Sequence, residues 1–371
     1  MPVPRSPLRE PYSVRVTWIL FSLLVGMAVG ICCTYADPPA LSSHSSEADG
    51  RESPEPLAVP ATISAERDRW MRHCLEWVES VLETHPPGSG RDDARMVALT
   101  TLDDPLHLED APRLPLIGDF FQRMVEKAIR QIESDSVSSG ACIWKIYNHF
   151  FVVKTPNHTY AFDFCQGAGE ARLTEEQVVR LVDEIELLFI SHRHADHADL
   201  SVARKMLSAG KPVVVPTELW RDEDISSALT RADGGNTGTL NDIAFTVFPG
   251  GQLDVPDNVY LVVADDVSVM HTGDQQQYGE DAEWLSTVGQ QYDVDILLPN
   301  CWTPDLPDMI RSVDPQVVIT GHENELYHPV WERESFTKSY WQLDSVRYRY
   351  VVMGWGERFQ YQSAAPPQPS Q

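Results

Sequence analysis

At 371 residues, with 42% hydrophobic and 23% charged side chains, the chain has the make-up of a globular protein of one large domain or two ordinary ones. Its 55 acidic against 29 basic side chains give a formal charge of −26. A field of that sign repels phosphate backbones, which disfavours a nucleic-acid partner over most of the surface and leaves small molecules as the expected partners.

The first segment stands apart. Arg5, Arg9 and Arg15 precede the uncharged run VTWILFSLLVGMAVGICC, residues 16–33, which is just long enough to span a bilayer. Asp37 and a Ser/Pro/Glu-rich stretch follow it, so the positive-inside tendency puts the remainder beyond the membrane. Residues 1–36 are therefore expected to be either a membrane anchor or a signal peptide cut after Thr34-Tyr35-Ala36. Either way the chain is exported, as a membrane-anchored, periplasmic or extracellular protein. Residues 37–60 have no apolar period and read as a flexible linker.

A helical extension is expected over residues 61–139. From Ser64, the residues Trp70, Cys74, Trp77, Val78 and Val81 fall on one helical face. A second helix over Asp119–Glu133 carries Phe120, Phe121, Met124, Ala128, Ile129 and Ile132. No chemical motif lies here, and packing or a lid is the expected role. The six cysteines include no CxxC pair, so neither a zinc knuckle nor a disulfide framework is signalled.

After Gly140 the texture changes. ACIWKIYNHFFVVKT and HTYAFDFC predict two strands joined at Pro156-Asn157. A helix over 174–184, the strand ELLFI, a helix over 200–209 and the strand KPVVVP come next, then a polar loop at Asp233–Asn241. IAFTVF, VYLVVAD, VSVMHT, VDILLP and VVIT supply five further strands. This irregular alternation predicts an α/β protein with helices covering mixed sheets, and a disordered tail over 361–371.

The chemistry gathers at ISHRHADHADL, Ile190–Leu200, which follows a buried strand. His192 and His194 are two apart on extended backbone and point the same way, so both imidazoles can reach one ion. Asp196 and His197 follow a turn and suit a second ion, or complete one asymmetric site. HTGD, His271–Asp274, and ITGHENELYH, Ile319–His328, end two later apolar strands. Alone, Gly-Asp is a turn and a strand-terminal His is as often structural; their joint placement at strand ends points to ligands.

These motifs resemble those of the metallo-β-lactamase superfamily. HRHADH is similar to its HxHxDH signature, HTGD and TGHENE to its later Asp and His motifs, and Asp163 in AFDFC to the Asp after its opening hairpin. The resemblance covers roughly 140–360, including Gly356-Glu357, and LLPNCW with VVITGHE is more similar to the lactonase-like hydrolase branch. It implies an αββα sandwich, here with an N-terminal helical extension, and a metal at one sheet edge. His192 and His194 would bind a first metal, and Asp196, His197 and His322 a second, with Asp274 bridging.

One donor is missing from that pattern. Where the family has another His, this chain reads FTVFPGGQLDVP, with Gly250, Gly251 and Gln252; Gln252 or Asp254 offers only an oxygen. His271 is expected on its strand, facing away from the metal or supporting it. The expectation is one firmly held ion at Asp196, His197, His322 and Asp274, with the first position weak. Zn²⁺ is the expected ion, with one or two bound and Mn or Fe open.

The expected function is a metal-dependent hydrolase that activates water on a small ester, lactone or related substrate. Asp196 and Asp274 would orient the nucleophile. His328 is read either as a proton donor to the leaving group or as a surface His beside Pro329, and Asn300 either as a substrate contact or as a loop Asn satisfying its own backbone. A non-catalytic or regulatory protein with a degenerate first site, and an iron-dependent oxidoreductase on the same fold, are the alternatives.

Overall fold

The computed structural model describes residues 61–253, 255–276 and 281–362. The predicted anchor or signal segment, the linker, Asp254 and most of the predicted tail lie outside these residues. Among the described residues no helix is long and apolar enough to cross a membrane.

The chain opens with α1 (Ala61–Thr84), α2 (Asp93–Leu106) and α3 (Pro115–Ser134). Then come β1 (Ala141–Tyr147), β2 (Phe150–Lys154), β3 (Thr159–Phe162), β4 (Gly167–Ala168) and β5 (Ala171–Arg172). α4 (Glu175–Glu184), β6 (Leu187–Phe189), α5 (Leu200–Ser208), β7 (Val213–Val215), β8 (Thr230–Arg231) and β9 (Thr237–Leu240) follow. β10 (Ile243–Gln252), β11 (Val255–Ala264) and β12 (Val267–His271) form a meander before α6 (Asp281–Gln291) and β13 (Ile296–Leu298). The rest is α7 (Leu306–Val313), β14 (Val317–Thr320), α8 (Phe336–Leu343), β15 (Tyr350–Val352) and β16 (Glu357–Tyr361). Tyr361, predicted to start the tail, ends β16, where it pairs with Ala141.

Local chemistry explains several of these boundaries. α3 starts with Pro115 at its first position, and its buried residues Ile117, Phe120, Phe121, Met124, Val125, Ala128, Ile129 and Ile132 keep helical spacing. α4 begins with a reciprocal cap, in which Thr174 Oγ1 accepts from Gln177 N and Gln177 Oε1 accepts from Thr174 N. Asp92 caps α2 by accepting from Ala94 N and Arg95 N.

Strands form two seven-stranded sheets, ordered β16-β1-β2-β3-β6-β7-β8 and β15-β14-β13-β12-β11-β10-β9. Alternation sorts each strand between two cores. Ile143, Phe151, Val153 and Phe162 of one sheet meet Val262, Val269, Ile296 and Ile319 of the other between the sheets. Their neighbours Cys142, Trp144, Val152, Leu297 and Val318 pack outward with the helices. Helices on both outer faces make an αββα sandwich, and burial on both faces explains why the central strands read as unbroken apolar runs.

Three sequence expectations change. In α1 the buried line is Met71, Leu75, Val78 and Leu82, while Trp70 and Trp77 are 43% and 44% exposed. The two tryptophans border the apolar stripe, and their bulk shifted the predicted face around the helix. The run 141–155 is two strands, because Asn148 takes φ 44° and turns the chain between β1 and β2; Asn tolerates that left-handed conformation. Within the predicted loop Asp233–Asn241, β9 pairs with β10. α2 lies inside the expected helical extension, whereas α6, α7 and α8 have no counterpart among the predicted helices.

Candidate metal centre

β3, β6 and β7 run parallel in one sheet, and β12, β13, β14 and β15 in the other. Their carboxyl ends deliver the motif residues to one edge of the sandwich. β3 leads to Asp163, β6 to residues 190–199, β12 to Asp274, β13 to Asn300 and β14 to His322. The two sheets are tied there by Asn258 N donating to Ser191 O at 2.9 Å and Tyr260 Oη donating to Ile190 O at 2.8 Å. His322 N donates to Asn148 O at 3.1 Å, adding the β1–β2 turn to the same edge.

Four donors converge. His197 Nε2 lies 3.3 Å from both Asp196 Oδ2 and Asp274 Oδ1, and His322 Nε2 lies 3.2 Å and 3.5 Å from the same two oxygens. An ion held tetrahedrally at bond lengths of about 2.0–2.1 Å has donor–donor edges of about 3.3–3.4 Å. The two imidazole nitrogens are buried and make no hydrogen bond. That spacing and those unpartnered nitrogens fit a divalent cation with an N₂O₂ donor set.

The other two histidines of the motif form a poorer group. His192 Nε2 is 2.9 Å from His194 Nδ1 and 3.7 Å from Asp274 Oδ2. Asp274 thus turns one oxygen to each position; His192, His194 and Asp274 form one three-donor group among the described residues, and Asp196, His197 and His322 another, but only in the second do the donor spacings match those around a tetrahedral ion. Backbone fills the place of the missing His, where Gly251 N donates to Gln275 Oε1 at 2.7 Å and Gly251 O accepts from Gln276 N at 3.0 Å.

Neighbouring polar groups orient the donors. Asp163, with φ 48°, accepts from His197 Nδ1 and from Ser191 Oγ through Oδ2 and from Ser191 N through Oδ1, each at 2.7 Å. With its proton on Nδ1, His197 presents the Nε2 lone pair to the ion position. Asn148 Nδ2 donates to Asp196 Oδ2 at 3.1 Å, and Asn300 Nδ2 to Asp274 Oδ1 at 2.5 Å. Asn300 Oδ1 accepts from Trp302 N at 2.9 Å, and the residue is fully buried. Its amide bonds at both ends, so Asn300 helps to orient Asp274.

Electrostatics follow from burial and this crowding. Burial works against the Asp196 and Asp274 carboxylates, yet His197 and His322 hold both well below the usual range. Burial, reinforced by His197, lowers His192 to about 4, so the ring is neutral at neutral pH. Burial opposes the charged form of His197 as well, but Asp274, Asp196 and Asp163 raise it well above the ordinary value.

His271 ends β12 and is buried, stacked on Phe162 at 4.6 Å, with Nδ1 accepting from Gly273 N and Nε2 donating to His149 O, each at 3.2 Å. It supports the edge without facing the ion position. His328 is half-buried, its ring 5.2 Å from that of His322; burial, then His322, lowers its pKa.

Sequence reasoning missed Asn148, His149 and Asp257. His149 is fully buried beside His271 and His197, with neither ring nitrogen partnered, and burial followed by His271 presses its pKa far down. A Cβ at Gly321 would come within 2.1 Å of its Cδ2, so the glycine before His322 makes room for this ring. Asn-His interrupting an apolar run was the available signal. Asp257 Oδ1 lies 3.3 Å from His192 Nδ1, and nothing in its sequence surroundings marks it.

No family description and no curated relative matches this sequence. Solved structures do. One is Igni18, a metallo hydrolase from Ignicoccus hospitalis, at 20% identity and a TM-score of 0.49, covering 60% of this chain and 100% of that one. A possible metal-dependent hydrolase from Veillonella parvula aligns at 16% identity and a TM-score of 0.46, with the same coverage. The metallo-β-lactamase fold protein YhfI from Bacillus subtilis does so at 10% identity and a TM-score of 0.43, over 60% of this chain and 100% of that one. Two facing sheets, helices outside them, and HRHADH, HTGD and GHENE in that order along one edge are the arrangement that the resemblance to the metallo-β-lactamase superfamily implies.

Proposed function

We propose that this chain is a metal-dependent hydrolase of small ester, lactone or related substrates, with one firmly held ion between Asp196, His197, His322 and Asp274. The observation that carries the reading is the set of four donor–donor distances of 3.2–3.5 Å around two buried, unpartnered imidazole nitrogens. Zinc is the preferred ion for such a set, with manganese or iron as alternatives. Bound there, it would lower the pKa of a water to about 7 and polarise a carbonyl or phosphoryl oxygen.

The chain's own residues supply the rest. Asp196 and Asp274 stay ionised and are held by the Asn148 and Asn300 amides, so each can accept a hydrogen bond from an attacking water. His328, neutral and next to His322, is placed to pass a proton towards a leaving group. Asp196 is 5% exposed and His322 1%, an access that favours small substrates over polymers. His192 and His194 hold a second ion weakly, for want of a fourth donor. Export through the N-terminal apolar run belongs to the same reading.

Metal analysis of purified, never-chelated protein tests it, together with turnover on a panel of esters and lactones. The expected result is one tightly held ion per chain, with hydrolysis that Asp196→Ala abolishes while the fold is kept. Two tightly held ions would refute the single-ion assignment. Absence of turnover with every metal restored would favour a non-catalytic role, and a coloured protein dominated by iron would favour redox chemistry.

A further inference from the structure

The segment from His322 to Thr337 carries the last metal donor and His328, and it is strapped to the C-terminal end of α2. Asp103, 8% exposed in the final turns of that helix, accepts four hydrogen bonds from the segment. Asn324 Nδ2 at 2.9 Å and Phe336 N at 2.8 Å donate to Oδ1, and Thr337 N at 3.0 Å and Thr337 Oγ1 at 2.8 Å donate to Oδ2. Arg333 reaches back the other way. Its Nη1 donates to Leu106 O and Leu108 O, and its Nε to His328 O, each at 2.9 Å. His107 Nε2 lies 2.9 Å from Arg333 O.

Two further facts say what this strap is for. His322 and Asn324 both have left-handed backbone, at φ 74° and 56°, and the Asn324 side chain that reaches Asp103 leaves from that turn. Without α2 the loop would keep His322 N on Asn148 O and Glu323 on Lys145 and Ser339, but would lose the bond that fixes Asn324, two residues beyond His322, whose Nε2 stands 3.2 Å from Asp196. Secondly, burying a carboxylate is costly, and a helix needed only for packing does as well or better with apolar residues at the same positions. Phe336 N and Thr337 N are first-turn donors of α8, so Asp103 joins the start of that helix to the loop, and the bond from Asn324 is the one that registers the loop of His322.

Resting on the metal reading above, we propose that α2 of the N-terminal extension is the clamp that keeps His322 in ligand position, with Asp103 as the positioning residue. The extension then sets the metal affinity of the centre, a task distinct from lid or packing.

The test measures zinc affinity of the full chain by competition with a chromophoric chelator. The variants are Asp103→Asn, Asn324→Gly, which suits the left-handed backbone, the double variant, and Asp104→Asn at the exposed neighbouring position. Asp103→Asn and Asn324→Gly are each expected to weaken zinc binding about 10–100-fold. The double variant should lose no more than the worse single one, because both break the same link. Asp104→Asn should match wild type. If Asp103→Asn fails to fold, Asn324→Gly alone decides. Wild-type zinc affinity in folded Asn324→Gly, or additive losses in the double variant, would overturn the clamp while leaving the metal centre standing. A wild-type chain that binds no zinc would overturn both.

Discussion

Replacing Asp163 by Asn tests the centre where one atom decides the state of a ligand. Asp163 sits at φ 48°, a conformation Asn adopts readily, so the backbone is expected to stay in place. The carboxylate accepts three hydrogen bonds, from Ser191 N, Ser191 Oγ and His197 Nδ1, each at 2.7 Å. An amide has one acceptor oxygen. If that oxygen serves Ser191 N, the NH₂ group faces His197, which must then move its proton to Nε2, the atom facing the ion. If the amide flips, the NH₂ group meets the Ser191 N–H, donor against donor, in a fully buried site. Losing such an orienting partner costs about 10–100-fold in metal affinity, equivalent to about 1.4–2.7 kcal/mol. The apo protein should separately lose about 1–3 kcal/mol through the unsatisfied buried donor. Chelator competition for zinc reads the first effect, and urea unfolding in chelator reads the second. Zinc affinity within about twofold of wild type in a folded variant would refute the claim that Asp163 sets the His197 ring.

Three further outcomes are expected. His328→Gln should lower kcat by about 100-fold or more while metal content stays at wild type, as removal of a proton-transfer group does; unchanged kcat would remove His328 from the chemistry. Lys145→Met strips the partner from Glu323, which is fully buried and otherwise accepts from Ser339 Oγ, and should cost about 3–5 kcal/mol in urea unfolding; a loss under about 1 kcal/mol would show that Glu323 finds another partner or a proton. His271 is held at about 4 by burial, below its value of about 6.5 in the unfolded chain. The stability it contributes is therefore present above about pH 6.5 and is lost as pH falls through about 4, amounting to about 3 kcal/mol. His271→Asn keeps an acceptor for Gly273 N without the titration, so urea midpoints of the chelated protein should fall less steeply with acid; an unchanged slope would contradict the assignment.

Strands β3, β6, β7 and β10 to β14, and the placing of Asp196, His197, Asp274 and His322 at strand ends, were readable because each rests on local pattern. Apolar runs buried on both faces mark strands, and polar metal-binding residues at their ends stand out against them. Gly250-Gly251 read as the place of a missing donor only through the resemblance to the metallo-β-lactamase superfamily. Residues whose role exists only through a distant partner were not readable. His149 looked like one position inside a strand until Asn148 turned the chain and set its ring beneath His197. For Asn300, the bond to Asp274 could not be read from the sequence, because the partner lies 26 residues away on another strand end. In α1 two tryptophans misled because bulk and burial are different properties.

By itself, then, the sequence determined the α/β class and which metal-binding side-chain types stand at the strand ends, since backbone periodicity and side-chain donor type are local properties. Only the tertiary structure decided how the donors are spaced, which groups hold them, and that a carboxylate on α2, 221 residues before Asn324, anchors the loop of His322. The reason is physical. Hydrogen-bond partnership and the crowding of charges depend on distances between segments far apart in the chain, and nothing in the local pattern encodes those distances.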